Sequence, residues 1–244
     1  MTTLDGETVI VTGASAGLGE SMAKRFAREG ANVVLTARSK DELDRVAAEA
    51  DGETLVATAD VTEESEVSAV VEAAVEEYGE VTGLVNNAGI GLLSMYGGGM
   101  PLHEVETEDF RKIVDVNITG VFLFSKYVVP ELVDAGRGNI INISSGFGRR
   151  GAPNFGPYVG TKWALEGILR TQSMELEEHG VNVNGLDPGG RVDTGFWDQL
   201  PDEEREDILD ADVMDDAAVA LLAQGPDGIT GESLAADDWE QKLL

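Results

Sequence analysis

Residues 8–19 read TVIVTGASAGLG, a β-branched run followed at once by a turn with three glycines. The first five residues predict a strand, and the spacing of Leu18, Met22 and Phe26 predicts a helix that ends at Gly30. Glycines in a strand-to-helix turn permit a tight turn, close approach of a diphosphate to the main chain, and close packing of helix on strand. The positive end of the helix dipole attracts the same anion. This stretch therefore predicts a nucleotide-binding turn in an α/β fold.

Strands and helices continue to alternate beyond this turn. Further strands are predicted over residues 32–36, 54–58, 81–86, 139–144, 181–186 and 232–236. Strands that are apolar almost throughout and are separated by helices indicate a parallel sheet covered on both faces. No linker interrupts the chain, so we predict a single domain over residues 1–244, with a loop at 97–99 and a substrate flap around 190–212.

Two helix starts are predicted from capping residues. Ser39 and Glu42 have the spacing of a capping box. Thr62 precedes two glutamates, which the helix dipole favours in a first turn. Thr62 is therefore predicted to cap a helix that ends at Gly79.

The chain is strongly acidic. Asp and Glu number 46 against 17 Lys and Arg, so the formal net charge is −29 over 244 residues. Such a field repels phosphate backbones and anionic lipid, which argues against nucleic-acid and membrane partners. Cysteine is absent, the first residues are polar, and no apolar run approaches the roughly 18 residues of a membrane helix, so a cytoplasmic protein is expected. The self-repulsion favours a protein adapted to a salt-rich cytoplasm, that is, a halophilic one.

Several spaced motifs follow one another in the order Thr12-Gly-x-x-x-Gly-x-Gly19, Asn86-Asn-Ala-Gly89, Asn117, Ser145 and Tyr158-x-x-x-Lys162. In this order they resemble the short-chain dehydrogenase/reductases, in the compact single-domain branch of that family, over residues 6–194. The resemblance implies a Rossmann-type doubly wound sheet of about seven mostly parallel strands. It also implies a nicotinamide dinucleotide, a homodimer or homotetramer, and hydride transfer between a ketone and a secondary alcohol.

The resemblance assigns residues to each part of the cofactor. The glycine turn would face the diphosphate, through Gly13, Ser15, Ala16, Gly17, Leu18 and Gly19. The adenine would contact Asp60 and Val61. The floor under the adenosine ribose would be shaped by Asn86, Ala88 and Gly89, and Asn87 would be a further cofactor-binding residue. The nicotinamide end would be held by Pro188, Gly189, Val192 and Thr194, together with Tyr158 and Lys162. The alternative for the two asparagines is that their amides serve buried main chain.

The end of the second strand bears on the choice of cofactor. NAD users of this family carry a carboxylate there, which holds the ribose 2′-hydroxyl and would repel a 2′-phosphate. This chain has Ala37 and Arg38, and a guanidinium suits a bidentate phosphate contact. NADP is therefore favoured. NAD stays the alternative, because Ala16 stands where many NADP users carry a basic residue.

The residues for the chemistry centre on Tyr158 and Lys162, which are four apart on a predicted helix and so share a face. A tyrosine with its usual pKa near 10 is a poor base at neutral pH, and a nearby ammonium is expected to lower that pKa. The resemblance makes Tyr158 the general acid/base and Ser145 a hydrogen-bond donor to the substrate oxygen. It makes Asn117 a water-binding link to Lys162; the alternative is an amide that bends or caps its helix.

The residues expected to choose the substrate are apolar. Phe196, Trp197 and Leu200 are predicted to form one wall, or else a subunit interface, and residues 91–96 the opposite wall. Apolar walls favour a carbonyl or alcohol substrate with an apolar part. Arg149 and Arg150 are expected to lie in a solvated loop; the alternative is that they recognise an anionic group.

Two other functions stay open. One is reduction of a 3-oxoacyl thioester, although the acidic surface opposes an acidic carrier protein unless salt screens the repulsion. The other is a catalytically silent, NADP-sensing regulator, which would not need the complete set of Asn117, Ser145, Tyr158 and Lys162. His103 and His179 belong to no ligand cluster, so no metal site is expected.

Overall fold

The computed structural model describes residues 3–192, 194 and 208–243. The strands are β1 Thr8–Thr12, β2 Asn32–Thr36, β3 Thr54–Val56, β4 Gly83–Asn86, β5 Gly138–Ile143, β6 Val181–Asp187, β7 Arg191–Val192, β8 Ile208–Leu209 and β9 Ser233–Ala235. The helices are α1 Gly17–Arg28, α2 Lys40–Glu49, α3 Glu64–Tyr78, α4 Leu92–Tyr96, α5 Thr107–Val114, α6 Gly120–Ala135, α7 Gly156–Leu176, α8 Asp215–Leu222 and α9 Glu240–Leu243.

Within the described part of the chain, seven strands form one parallel sheet in the order β3-β2-β1-β4-β5-β6-β9. The chain first moves outward from β1 to β3 and then crosses back to β4, so the carboxyl ends of β1 and β4 meet at a crevice. Doubly wound sheets bind their ligands at such a switch point. The predicted Rossmann-type α/β sheet is confirmed, and its crevice lies where the glycine turn begins.

Side chains alternate between two apolar layers along the strands. Val9 and Val11 of β1 pack in one layer with Phe26 of α1, whereas Ile10 packs in the opposite layer with Phe124 of α6. All five side chains are fully buried. Successive residues of a strand point to opposite faces of a sheet, so these contacts show that helices cover both faces.

The helix start predicted at Ser39 is confirmed in position, and the helix cap predicted at Thr62 is wrong. Ser39 does precede α2, but its side chain makes no capping hydrogen bond. Helix α3 begins at Glu64, and the Thr62 hydroxyl donates to Asp60 Oδ1 at 2.7 Å instead of capping a helix. The end of α3 at Gly79 is confirmed. Gly79 has a φ of 85°, in the left-handed region that favours glycine.

Residues Thr107–Ala135 form one long helix, in which a π turn over Asp115–Thr119 joins α5 to α6. This helix is long and apolar enough to cross a membrane by length and composition alone. The sequence predicted no such segment. The helix packs against α3, α7 and the sheet, as an ordinary core helix does. The π turn carries Asn117 into the interior.

The predicted flap is described only in part. Arg191–Val192 of β7 pair in parallel with Ile208–Leu209 of β8, so a short strand pair stands where a loop was predicted. Phe196, Trp197 and Leu200 lie outside the described residues, and their role stays a prediction.

Candidate active site

The turn between β1 and α1 has room for main chain only. Gly13 and Gly17 have φ angles of +67° and +58°, which favour glycine. A Cβ at Gly19 would lie 2.4 Å from both the side-chain nitrogen of Asn87 and the carbonyl oxygen of Gly13. The result is a bare main-chain cradle at the N-terminus of α1, which fits the diphosphate of a dinucleotide.

The segment after β4 supports this cradle. Asn87 donates from its side chain to the carbonyl oxygen of Thr12 at 2.8 Å. The main-chain nitrogens of Asn87 and Ala88 both donate to the Thr12 hydroxyl, at 2.9 and 3.0 Å. Asn86 donates to Asn142 of β5 at 2.8 Å. The Asn87 amide therefore serves main chain, which is the alternative that the sequence left open, whereas the Asn86 amide bonds another side chain.

A guanidinium that the sequence did not single out also holds the glycine turn. Arg45 of α2 donates to the carbonyl oxygen of Ser15 at 3.3 Å and to the carboxylate of Glu20 at 2.7 Å. This hydrogen bond, with help from Lys24, lowers the pKa of Glu20 to about 2. Ala16 stands directly before α1 in extended backbone. The turn is thus fixed from α2 as well as from β4.

The other end of the crevice carries the residues predicted for the adenine and the 2′-position. Asp60 Oδ1 accepts hydrogen bonds from the Thr62 main chain and hydroxyl. Burial raises the pKa of Asp60, but these bonds and the nearby charge of Arg38 outweigh burial and lower it. Arg38 itself is exposed at the end of β2. Val61 is buried against the main chain of Gly120.

Ser145, Tyr158 and Lys162 lie together at the carboxyl end of β5. Ser145 leads the short 3₁₀ turn Gly146–Gly148, and its hydroxyl forms a hydrogen bond with Tyr158 that lowers the pKa of that phenol. The Lys162 ammonium lies 5.4 Å from the centroid of the Tyr158 ring. It donates to the carbonyl oxygen of Ile143 at 2.6 Å. The spacing in the sequence correctly predicted that Tyr158 and Lys162 are neighbours, and the resemblance placed Ser145 beside them.

The predicted pKa shift of Tyr158 is wrong for the protein without cofactor. Burial raises the pKa of Tyr158 to about 12, and the charge of Asp187 acts in the same direction against the bond from Ser145. Burial also lowers the pKa of Lys162 to about 8, against the pull of Glu166. Desolvation is the largest cause of both shifts, so the phenol stays protonated at neutral pH.

Asn117 is buried in the π turn between α5 and α6. Its amide accepts from the main-chain nitrogen of Ile90 at 2.8 Å and donates to the Ile90 carbonyl at 2.9 Å. It also donates to the Thr161 hydroxyl at 3.0 Å, next to Lys162 in the chain. Gly89 lies against the same amide. Asn117 thus joins the segment after β4 to α7, and its role as a water-binding link to Lys162 stays a prediction.

The residues predicted for the nicotinamide follow β6. Gly189 has a φ of +76°, and its main-chain nitrogen donates to Asp187 Oδ1 at 2.8 Å. Val192 is buried. Thr194 lies over the glycine turn, because a Cβ at Gly17 would be 2.8 Å from the Thr194 Cβ. The tertiary fold therefore brings the segment after Pro188 onto the cradle.

Two sequence predictions about the rim of the site hold only in part. Leu92 and Leu93 are buried in the fold and are not free to line a substrate wall. Tyr96 is exposed, and its hydroxyl donates to Asp109. Arg149 is not simply solvated, because it pairs with the buried carboxylate of Asp187.

The described residues hold no group of three or more His, Asp or Glu side chains that could bind a metal ion.

The sheet order and the cradle at its switch point define a dinucleotide-binding α/β protein, and the group around Tyr158 suits proton transfer at a carbonyl. A family model described as short chain dehydrogenase matches residues 7–205. The chain belongs to this family, and it is an oxidoreductase that uses a nicotinamide dinucleotide.

Three relatives illustrate the range of the family. The 2,5-dichloro-2,5-cyclohexadiene-1,4-diol dehydrogenase of Sphingobium indicum is 33% identical over 250 residues, covering 97% of this chain and 98% of its own. The 3-ketoacyl-(acyl-carrier-protein) reductase of Brucella melitensis, solved with NADH, has a TM-score of 0.87 and 33% identity, covering 95% of this chain and 97% of its own. A metagenomic short-chain oxidoreductase solved with NADP has a TM-score of 0.81 and 30% identity, covering 96% and 98%.

Proposed function

We propose that this oxidoreductase interconverts a ketone and a secondary alcohol with NADP as its preferred cofactor, and that Tyr158 transfers the proton. The observation that carries the proposal is the meeting of Ser145, Tyr158 and Lys162 at the carboxyl end of β5. The bound nicotinamide would supply or accept the hydride. Ser145 holds the substrate oxygen, and Tyr158, protonated at neutral pH, gives its proton to the forming alkoxide.

The test of this chemistry is a substrate panel. Cyclic and open-chain ketones are assayed with NADPH, and the matching secondary alcohols with NADP, in buffer containing molar KCl. Tyr158→Phe is expected to remove turnover by about 10²–10⁴-fold while NADPH binding, followed by its fluorescence, remains. Full turnover in Tyr158→Phe would refute the proposed role.

Arg38 supports the preference for NADP, because it is an exposed guanidinium at the end of β2, where the 2′-position is predicted to lie. Arg38→Asp is expected to turn the preference toward NAD, since a carboxylate repels a 2′-phosphate and can accept from a 2′-hydroxyl. The measurement is kcat/KM with each cofactor. An unchanged ratio would assign the choice to other residues.

Reduction of a 3-oxoacyl thioester is the second candidate, favoured by the likeness to the Brucella melitensis reductase. Against it, the chain carries a formal net charge of −29, which would repel an acidic carrier protein. Arg149, a candidate for binding an anionic group, is already paired with Asp187. An N-acetylcysteamine thioester of acetoacetate, compared with cyclic ketones of similar size, separates the two candidates. Absence of turnover on the whole panel would favour the NADP-sensing regulator.

We also propose that the whole chain is one domain which works as a homodimer or homotetramer in a salt-rich cytoplasm. Trp163 and Met174 of α7 are 53% and 80% exposed, and Phe122 of α6 is 55% exposed. Trp163 and Met174 are eleven residues apart and so share a face of α7. Sedimentation in KCl should give a multiple of 25.8 kDa for the wild type, and Trp163→Glu with Met174→Glu should reduce it to a single chain.

A further inference from the structure

Arg149 connects three segments that are far apart in the chain. Its guanidinium pairs with the carboxylate of Asp187 at the end of β6. It also donates to the Ser233 hydroxyl of β9 at 2.6 Å and lies 3.7 Å from the carboxylate of Glu166 on α7. Although Arg149 itself is 42% exposed, the side chains of Asp187 and Glu166 are only 3% and 7% exposed.

Without the Arg149 guanidinium, the buried negative charge of Glu166 would be poorly compensated. Its Oε1 accepts from the hydroxyls of Ser144 and Ser233, at 2.5 and 3.0 Å. Its Oε2 has no hydrogen-bond partner among the described residues. Lys162, one helical turn earlier, feels the Glu166 charge. An uncompensated buried carboxylate is strongly destabilising, and Arg149 is the cation that faces both Asp187 and Glu166.

The segments that Arg149 joins are the ones that carry the reacting groups. Ser145 begins the turn that Arg149 ends, and the turn is closed by the hydrogen bonds Gly148 N to Ser145 O and Arg149 N to Gly146 O. The turn has no slack against α7, since a Cβ at Gly148 would lie 3.1 Å from Glu166 Cγ and from the Lys162 carbonyl.

On the far side of the pair, Asp187 accepts from the nitrogen of Gly189 at 2.8 Å. One guanidinium thus links the Ser145 turn to the turn predicted to hold the nicotinamide.

We propose that Arg149 is a positioning residue of this active site, which holds the Ser145 turn against the Asp187–Gly189 turn and neutralises the buried carboxylates of Asp187 and Glu166. The proposal deepens the proposed function, because it concerns the state of Tyr158 on which that function rests.

The charged groups around Tyr158 set the direction of the expected effect. The phenol faces the Ser145 hydroxyl, the Lys162 ammonium and the charge of Asp187. Arg149 faces Asp187, Glu166 and Asp238, and Arg150 lies over Phe147, whose ring meets Tyr158 edge-on. Without Arg149 the negative charge of Asp187 acts on Tyr158 unopposed. When the charge of Asp187 is removed, the positive charge of Arg149 is no longer neutralised and acts on Tyr158.

The test is a titration of Tyr158 in the full chain without substrate or cofactor. Tyrosinate absorbance is read after a rapid pH jump, and the signal of the same variant carrying Tyr158→Phe is subtracted. Asp187→Asn is expected to lower the midpoint by about one pH unit, and Arg149→Met to raise it by about the same amount. The double variant Arg149→Met with Asp187→Asn should return toward the wild type. Asn keeps the acceptor for Gly189, so its effect is one of charge.

Hydrogen exchange of the main-chain amides tests the positioning itself. In Arg149→Met, the main-chain amides of residues 146–150 should exchange at least tenfold faster than in the wild type, because the pair between Arg149 and Asp187 of β6 is lost. Arg149→Lys keeps the charge but not the fork that reaches both partners, so its midpoint should stay near the wild type while these amides exchange faster.

Arg170→Met is the matched control, because Arg170 is exposed on the same helix as Tyr158. The substitution removes one positive charge, as Arg149→Met does, but from another position. It should leave both readouts unchanged. Equal shifts in Arg170→Met, or shifts of the same sign in Arg149→Met and Asp187→Asn, would overturn the proposal. If circular dichroism shows that Arg149→Met does not fold, the two other variants test the proposal. An unchanged titration midpoint of Tyr158 in Asp187→Asn would overturn the proposal. Unchanged exchange of the residue 146–150 amides in Arg149→Lys would also overturn it. Failure of the proposed function is read separately, from the substrate panel.

Discussion

The Lys162 ammonium lies 2.6 Å from the carbonyl oxygen of Ile143, the last residue of β5. This bond fixes the cation at the end of the strand from which Ser145 follows, and within 5.4 Å of the Tyr158 ring centroid. The position is costly, because burial lowers the pKa of Lys162 from 10.5 to about 8. Such a cost is typical of a group kept for chemistry rather than for stability.

Lys162→Met is therefore expected to lower turnover by about 10²–10⁴-fold, because the cation beside Tyr158 is lost. The unfolded chain binds a proton at Lys162 more tightly than the folded protein does. The wild type should thus gain stability relative to the variant as the pH rises from about 8 to 10. Urea unfolding across that range measures the difference. Lys126→Met, which removes a 47% exposed lysine, is the control and should show no such trend.

Gly19→Ala is expected to weaken NADPH binding by more than tenfold and to lower the melting temperature. The new methyl group would lie 2.4 Å from Asn87 Nδ2 and from the Gly13 carbonyl, so the hydrogen bond that holds the cradle must break. Fluorescence titration with NADPH measures the affinity. Gly225→Ala, where a methyl group meets nothing within 4 Å, should behave as the wild type. Normal affinity in Gly19→Ala would show that the cradle adapts.

Asp215→Asn is expected to stabilise the protein at pH 7 by about 2 kcal/mol. Burial raises the pKa of Asp215 from 3.8 to about 6, although Ser21 donates to it at 2.9 Å. The folded protein therefore binds this proton more tightly than the unfolded chain. Its contribution to stability is complete below about pH 4 and is lost as the pH rises through about 6.

Urea unfolding at pH 7 and at pH 4 checks this prediction, since the variant should gain stability only at the higher pH. Asp216→Asn, at a 73% exposed neighbour, is the control. A gain of equal size at both pH values would mean that the carboxylate is not the cause.

The melting temperature is expected to rise from dilute buffer to molar KCl. Acidic residues exceed basic ones by 29, and 1 M salt shortens the Debye length to about 3 Å, which screens their repulsion. Scanning calorimetry measures the rise. Replacing the exposed pair Glu76 and Glu77 of α3 by Gln should make the salt dependence less steep. A melting temperature that is flat or falls in KCl would contradict adaptation to salt.

Strands were the easiest elements to predict. The bounds of β1 and β2 match the predicted residues 8–12 and 32–36, because an apolar, β-branched run between turn residues leaves little choice. Helix starts were harder. A short hydroxyl side chain has several acceptors within reach, and Thr62 uses Asp60 rather than a helix.

The electrostatics of the site could not be predicted from spacing. Tyr158 and Lys162 share a helix face as expected, but burial raises the pKa of Tyr158 instead of lowering it, and it lowers the pKa of Lys162. Glu166 follows Lys162 by four residues, a signal that could have placed it on the same face. No signal in the sequence places Arg149 against Asp187, which is 38 residues away.

The sequence by itself determined the parallel α/β sheet, the glycine turn at its switch point and the neighbours Tyr158 and Lys162. These features depend on local conformation and on a spacing of a few residues. Only the tertiary structure decided the protonation state of Tyr158, the ties that Arg45 and Asn117 make, and the partners of Arg149. Those depend on burial and on charges brought together from distant segments, and burial exists only once the chain is packed.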